Sequence, residues 1–409
     1  MYKKINKVIL AYSGGLDTSA IIPWLRDNYK CKVVALVVDI GQNYKDLKNI
    51  KNKALSSGAI SCYILDLKEN FIKNYIYPLL HNKAVYENNY LLGTAIARPL
   101  IAKAQIDLAL KLNADAVSHG ATGKGNDQIR FEYTYASLAP QLNVIAPWRE
   151  WSFTSREEII KYLKKKKIKT TASLKKIYSQ DENIWHISTE GGNLEKISSP
   201  SNKNCWSWTL DIKDTINIPD IISLQIKNGY IISINNNILN PIQCLLKLNE
   251  IGKKHGIGRI DIIENRIIGM KSRGCYETPG GTIIIKVLDA IEQLVFDKET
   301  IKWRSIIGIE MSHLIYEGKW FTPMRKSLEY ANKPLIKLLT GEVKIKLYKG
   351  NITILQRKSP YSLYSQKTVT FNKDKDYKHS HAAGFIRLFS LSSRIRSLKY
   401  NNKNLIKEV

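Results

Sequence analysis

The sequence predicts an α/β protein: a doubly wound, parallel five-stranded sheet, followed by an α+β domain and a C-terminal helical arm. Three observations carry this. Over the first third, short apolar runs alternate with amphipathic stretches, as they do when a parallel sheet is wound with helices. From about Thr170 the pattern changes to polar loops carrying Trp185, Trp206 and Trp208, then mixed strand-like and helical pieces. A chain of 409 residues also exceeds what one hydrophobic core usually serves. The expected divisions are 1–168, 169–363 and 364–409.

Strands of the first part are expected at Lys7–Tyr12, Lys32–Val38, Ser61–Leu65, Ala116–His119 and Val144–Ala146. Helical stretches lie between them at Ser19–Asp27, Tyr44–Ser56, Phe71–Leu80 and Ala95–Leu112. Thr154 with Glu157, or Ser155 with Glu158, offers a capping box for a helix running into Lys164–Lys167. Lysines at a helix C-terminus suit the macrodipole, so this run reads as an exposed helix end. Beyond the boundary, strands are expected at Ile221–Lys227 and Tyr230–Ile234, with Asn235–Asn237 as a turn. Helices follow at Pro241–Gly252, Ile283–Phe296, Gly308–Tyr316 and Pro323–Leu339, then strands at Glu342–Tyr348 and Asn351–Arg357. A basic helix near His381–Leu398 completes the arm.

The formal net charge of +27 invites a nucleic-acid reading. Lysine is spread along the whole length, however, and Ile and Asn are also heavily used, so a solvated basic surface is the expectation and no nucleic-acid partner is assigned. Cys31, Cys62, Cys205, Cys244 and Cys275 are scattered without a CxxC pair, which implies reduced thiols and no zinc site. Cys205 and Cys275 read as structural thiols. No apolar stretch approaches the roughly 20 residues of a membrane helix, so no membrane partner is expected and the setting reads as cytoplasmic.

The first chemical motif is Ala11-Tyr12-Ser13-Gly14-Gly15-Leu16-Asp17-Thr18-Ser19, after a buried-type strand and opening a helix. Its glycines permit close approach, and the free N–H groups of turn and helix start form a phosphate cradle. Ser13, Thr18 and Ser19 add hydroxyls. Asp17 makes sense beside phosphate if it holds Mg2+ or orients a donor. The motif lacks the Lys of GxxxxGK[ST] and the spacing of GxGxxG. A second stretch, Ala116 through Arg130, presents Thr122, Asn126, Asp127 and Arg130 on a glycine-spaced loop. Arginine clamps a carboxylate, Asp127 could pair with an amino group, and a zwitterionic amino acid needs both signs. A third stretch, Gly256 through Thr282, offers Glu264 and Tyr276, which strand ends would carry toward loops. His119 is the nearest titratable group to this chemistry but reads as a structural histidine at a strand end.

The phosphate loop resembles that of the N-type ATP pyrophosphatases, which cleave between the α- and β-phosphates and transfer AMP. Together with His119–Arg130, Ala146–Trp151, Tyr178–Ser188, Gly256–Thr282 and Leu347–Asn351, the chain resembles the argininosuccinate synthase family over nearly its whole length. That resemblance implies an ATP-pyrophosphatase-type nucleotide-binding domain, a synthetase domain, and ligation of L-citrulline to L-aspartate through a citrullyl-adenylate. It implies that Ala11–Ser19, Val38 and Gly120 hold ATP with Mg2+, and that Thr122, Asn126 and Asp127 contact aspartate. Tyr90, Ala95, Asn126, Arg130, Ser179, Ser188, Glu264 and Tyr276 are the implied citrulline contacts. Asp17, Asp127 and Arg130 are the candidate catalytic residues, and the arm implies a homotetramer. Ala95 stands where the family usually offers Ser, which removes one hydroxyl. Val38 replaces a commoner Ala, which is harmless if only its backbone meets adenine. The alternative is a tRNA-modifying adenylating enzyme of the same superfamily; thiolating versions usually need paired or catalytic cysteines, which are absent here.

Overall fold

The structure, a computed structural model, describes residues 4–42, 47–123, 125–168, 178–366, 378 and 380–400. Two compact units emerge, Met1–Tyr361 and Ser362–Val409.

The first unit opens with five strands, β1 (Lys7–Ala11), β2 (Lys32–Asp39), β3 (Ser61–Asp66), β4 (Ala116–Ser118) and β5 (Asn143–Ile145). They form a wholly parallel sheet in the order β3-β2-β1-β4-β5. Period-two alternation splits their side chains between two cores. Ile9, Val34 and Leu36 face one; Val8, Leu10, Val33, Ala35 and Val37 face the other. Helix α1 (Leu16–Tyr29) covers the second face through Ile21, Ile22 and Leu25, together with Ala54 of α2 (Leu47–Ser56). The start expected at Tyr44 lies outside the described residues. The next helical stretch runs 68–81, as α3 (Lys68–Phe71), a π-helical turn (Ile72–Ile76) and α4 (Tyr77–His81). Helix α5 (Gly93–Lys111) covers the first face through Ile96 and Leu100. Its Gln105 is wholly buried, donates to Ile9 O at 2.7 Å and Ser118 O at 2.8 Å, and accepts from Tyr135. That one amide fixes β1 and β4 against α5 and α6 (Asn126–Leu138). Helix α7 (Arg156–Lys165) starts at Ser155, which accepts from Glu158 N, while the Glu158 carboxylate reaches back to Thr154 N at 2.7 Å.

Two antiparallel sheets follow. Strands β6 (Ser179–Glu182), β7 (Ile187–Glu190), β11 (Arg259–Asn265) and β12 (Lys271–Glu277) make a sheet in the order β11-β12-β7-β6. From sequence, strand ends are expected at Glu264 and Tyr276, but the strands are given no bounds and none is expected over 179–190. The reason is physical: one face of this sheet carries polar and charged side chains rather than an apolar row. The other sheet joins β8 (Asp220–Lys227), β9 (Tyr230–Ile234), β10 (Asn237–Ile238), β13 (Gly341–Tyr348) and β14 (Asn351–Lys358) in the order β10-β9-β8-β13-β14. Asn235 and Asn236, at φ of 50° and 65°, make the tight turn after β9 that matches strand twist. Helices α8 (Pro241–Lys254), α9 (Pro279–Val295), α10 (Lys298–Tyr316) and α11 (Pro323–Ile336) complete the unit. Ile184 N donates to Ile40 O at 2.8 Å, so the β6–β7 connection is tied to the C-terminal end of β2.

In the second unit the single basic helix expected near His381–Leu398 is two helices, α12 (Ser380–Phe389) and α13 (Leu391–Tyr400). The break falls at Ser390, whose hydroxyl bonds back to Ile386 O while its carbonyl already accepts from Arg394 N. Phe385, Leu388, Phe389 and Leu398 are exposed.

Candidate active site

The chain leaves β1 for β2 on one side and returns to β4 on the other, so a crevice opens at the carboxyl ends of β1 and β4, the usual ligand position in such sheets. Ala11 ends β1, and Tyr12 follows, its N–H bonded to Leu36 O and its hydroxyl 3.1 Å from Ser19 Oγ. Gly14 takes φ of 73°, a left-handed conformation that costs glycine little, and Gly15 is the N-cap of α1. Ser13 Oγ lies 3.2 Å from Thr18 Oγ1 and accepts from Gly15 N at 3.3 Å. The N–H groups of Leu16, Asp17 and Thr18, at the first turn of α1, have no intrahelical acceptor. Burial raises the Asp17 carboxyl above the usual carboxylate range, with Arg156 opposing. Val38 is buried near the end of β2, and its carbonyl accepts from Gln42 Nε2. Gly120, two residues past β4, is so close to Thr18 that a Cβ there would sit 2.9 Å from Thr18 Cγ2. Residues Ala11–Ser19, Val38 and Gly120 therefore share one edge of the sheet.

The loop expected around Thr122–Arg130 is in part a helix. Thr122 is exposed in the turn closed by Gly125 N to Thr122 O at 3.2 Å, whereas Asn126, Asp127 and Arg130 form the first turns of α6. Asp127 stands beside Arg130, as expected, and a second arginine joins them. Its carboxylate is held on both sides, accepting from Arg98 Nε at 2.8 Å and Arg130 Nη1 at 2.9 Å. Although burial opposes its charge, the two guanidinium groups keep its carboxyl below the ordinary range. Arg98 also grips Asp181, a residue of β6. Burial dominates at Asp181 and raises its carboxyl despite that partner.

The register of the four-stranded sheet explains how distant residues converge. Directly opposed residues share a face, as do residues two apart. One row reads Ile260, Tyr276, Ser188, Asp181 across β11, β12, β7 and β6; the next reads Ile262, Gly274, Glu190, Ser179; Glu264 and Ser272 follow. Ser179, Ser188, Glu264 and Tyr276 thus occupy one face, with Ser179 exposed and the other three buried. Glu264 and Tyr276 stand one residue from the ends of β11 and β12, as expected, and face the site from the sheet. A Cβ at Gly274 would lie 2.9 Å from the Tyr276 ring and hydroxyl, so glycine gives that ring room to lie back toward Glu264. Burial raises the Glu264 carboxyl to about 7; Arg130 opposes this and Glu190 adds to it. Its Oε2 is buried without a hydrogen-bond partner.

Aromatic rings wall this face. Tyr90 lies 4.7 Å from Tyr276 between ring centroids, and its hydroxyl accepts from Thr94 N at 3.2 Å. Ala95, the next residue of α5, is fully buried. Tyr316, at the end of α10, stacks on Tyr86 at 3.7 Å and sits beneath Arg130, 4.9 Å from its Cζ. Its hydroxyl accepts from Asn126 Nδ2 and its carbonyl from Arg130 Nε. His186 lies 3.1 Å from Thr94 Oγ1, and burial depresses its imidazole to about 3, leaving it neutral. His119 is wholly buried, with Nδ1 accepting from Ala121 N and Nε2 toward Glu132.

Sequence reasoning missed Arg98, Asp181, His186 and Tyr316. Arg98 could have been found, because it stands four residues from Thr94 on the same helix face; Tyr316 belongs to no motif.

Two family models match the chain. The Arginosuccinate synthase N-terminal HUP domain covers residues 7–169, and the Arginosuccinate synthase C-terminal domain covers residues 178–396. Among curated proteins, the argininosuccinate synthase of Buchnera aphidicola subsp. Acyrthosiphon pisum (strain Tuc7) is 63% identical over 97% of this chain and 98% of its own length. That of Buchnera aphidicola subsp. Baizongia pistaciae (strain Bp) is 59% identical over 99% of both chains. That of Photorhabdus laumondii is 58% identical over 97% of this chain and 98% of its own. With both family models matched and identity of this order from end to end, the chain belongs to the argininosuccinate synthase family.

Proposed function

We propose that this chain ligates L-citrulline and L-aspartate at the expense of ATP, forming argininosuccinate with release of AMP and pyrophosphate. The observation that carries the reading is one segment with two neighbours. Gly120 abuts Thr18 of the phosphate loop, and a few residues on, Asn126–Arg130 enters the charged face of Arg98, Asp181 and Glu264.

A ureido oxygen is a poor leaving group, so it must be activated. In the first step that oxygen attacks the α-phosphorus, the bond to the β-phosphate oxygen breaks, and pyrophosphate leaves. In the second, the aspartate amine attacks the ureido carbon, the carbon–oxygen bond to AMP breaks, and the amine gives up a proton. The chain's part is positioning and charge stabilisation. N–H groups of Gly15–Thr18 and the hydroxyls of Ser13 and Thr18 receive the departing pyrophosphate, with Val38 and Gly120 bounding the nucleotide. Arg130, Glu264, Tyr276, Tyr90, Ser188 and Ser179 orient citrulline, and Thr122, Asn126 and Asp127 orient aspartate. Asp127, already clamped by two arginines, acts through the Arg98–Asp127–Arg130 array rather than as a bare carboxylate. Mg2+ fits as an ion carried by the nucleotide, since Asp17 supplies a carboxylate beside the loop and such ions take few protein ligands. Among the described residues no cluster of three His, Cys, Asp or Glu could hold a metal unaided. When bound, the ion offsets phosphate charge.

No helix among the described residues is long and apolar enough to cross a membrane; we place the enzyme in the cytoplasm. The exposed apolar side chains of α12 and α13 support a homotetramer joined by these arms.

The test is product analysis with each substrate omitted in turn. AMP and pyrophosphate are expected in equal amounts, only when citrulline and aspartate turn over together. ADP and phosphate would refute the reading; tRNA binding at moderate salt without citrulline turnover would favour the RNA-modifying alternative.

A further inference from the structure

Helix α2 presses directly on the phosphate loop. Its Ile50 side chain lies 3.4 Å from where a Cβ of Gly14 would be, and one turn on, Lys53 Nζ donates to Gly14 O at 2.6 Å. Lys53 is itself held in place: its carbonyl accepts from Ser57 Oγ at 2.7 Å, and the neighbouring Ala54 is fully buried. The Gly14–Gly15 peptide is planar and trans, so its C=O and N–H point in opposite directions. With the oxygen fastened to Lys53, the Gly15 N–H is turned the other way, where it meets Ser13 Oγ at 3.3 Å. That bond is long enough for a phosphate oxygen to compete for the N–H. A glycine at φ of 73° has no side chain to resist a flip of this peptide, so the loop needs an outside restraint. Burial alone depresses the Lys53 ammonium, with no carboxylate among the described residues offsetting it. Its charge is therefore directed through the peptide into the cradle, in the sense that favours an anion.

We propose that Lys53 is a positioning residue for the phosphate loop, holding the Gly14–Gly15 peptide so that the Gly15 N–H is aimed at the outer phosphates of ATP. This rests on the reading that the triphosphate lies in that loop.

The experiment uses the full chain and two probes, Mg2+–ATP as substrate and inorganic pyrophosphate as product inhibitor. Lys53→Met, which keeps the length and removes the charge, is expected to raise both the KM for ATP and the pyrophosphate inhibition constant about tenfold. The KM values for citrulline and aspartate should stay within about twofold, and Lys53→Arg should recover most of the ATP loss. Gly14→Val, which strains the loop itself, is the comparison. If Gly14→Val impairs ATP use and Lys53→Met does not, the proposal is overturned while the loop reading stands. If neither changes ATP use, the loop reading fails with it. Equal losses for all three substrates with a lowered Tm assign Lys53 a merely structural role and overturn the proposal. If Lys53→Met folds poorly, Lys53→Gln gives the same comparison.

Discussion

Glu264→Gln should make the unliganded protein more stable at pH 8 while weakening citrulline. Glu264 is 5% exposed, and burial lifts its carboxyl from 4.5 to about 7 against the opposing charge of Arg130. A carboxyl raised in the folded state imposes no penalty below its unfolded value. The penalty then grows between pH 4.5 and about 7 and is constant above. Linkage converts that interval to about 3 kcal/mol at pH 8 and less than about 1 kcal/mol at pH 5. Removing the charge should thus raise unfolding free energy at pH 8 by up to about 3 kcal/mol, with little effect at pH 5. The same carboxylate is what an incoming ammonium group would pair with. Citrulline KM in the parent protein should therefore fall as pH rises through about 7, and in Glu264→Gln it should be roughly 10 to 100 times higher and flat with pH. Urea denaturation at the two pH values and initial rates against citrulline read both halves. A variant less stable at pH 8 than its parent, or one that keeps the citrulline pH slope, would refute the reasoning.

Arg130→Ala should raise the citrulline KM by roughly 30-fold or more while moving that for ATP by no more than about twofold; an unchanged citrulline dependence removes Arg130 from the site. Gly274→Ala puts a methyl 2.9 Å from the Tyr276 ring and should cost about 1–3 kcal/mol of stability, with citrulline affected more than ATP in steady-state rates. Glu277, on the opposite face of the same sheet, accepts from the backbone N–H groups of Ser207, Trp208 and Thr209. Glu277→Gln should lower stability by about 1.5–3 kcal/mol in thermal denaturation, without changing the ATP KM.

The first sheet was legible because its strands are buried on both faces. Lys7–Ala11 and Lys32–Asp39 read as continuous apolar runs, and the glycine-rich turn after the first could be placed by punctuation alone. Helices with apolar stripes, such as Pro241–Lys254, were legible to within a turn. The four-stranded sheet was not. Ser179–Glu182 has no apolar residue, and Lys271–Glu277 mixes charge with glycine, because the face they present holds a polar site rather than a core. The start of helix Asn126–Leu138, up to Arg130, was read as a loop for a related reason: its first turns carry the site's Asn, Asp and Arg, which mask the apolar period that begins at Phe131.

By itself, then, the sequence determined what local chemistry determines: the wound parallel sheet, the phosphate loop, and the residue types an amino-acid ligand requires. Tertiary structure alone decided which of those residues meet. Strand register brings Asp181, Ser188, Tyr276 and Glu264 onto one face although they come from segments far apart in the chain. The surroundings then decided the charge states: two arginines hold Asp127 ionised against burial, and burial lifts Glu264 to about 7. Both are sums over neighbours contributed by the whole fold, and no window of sequence contains those neighbours.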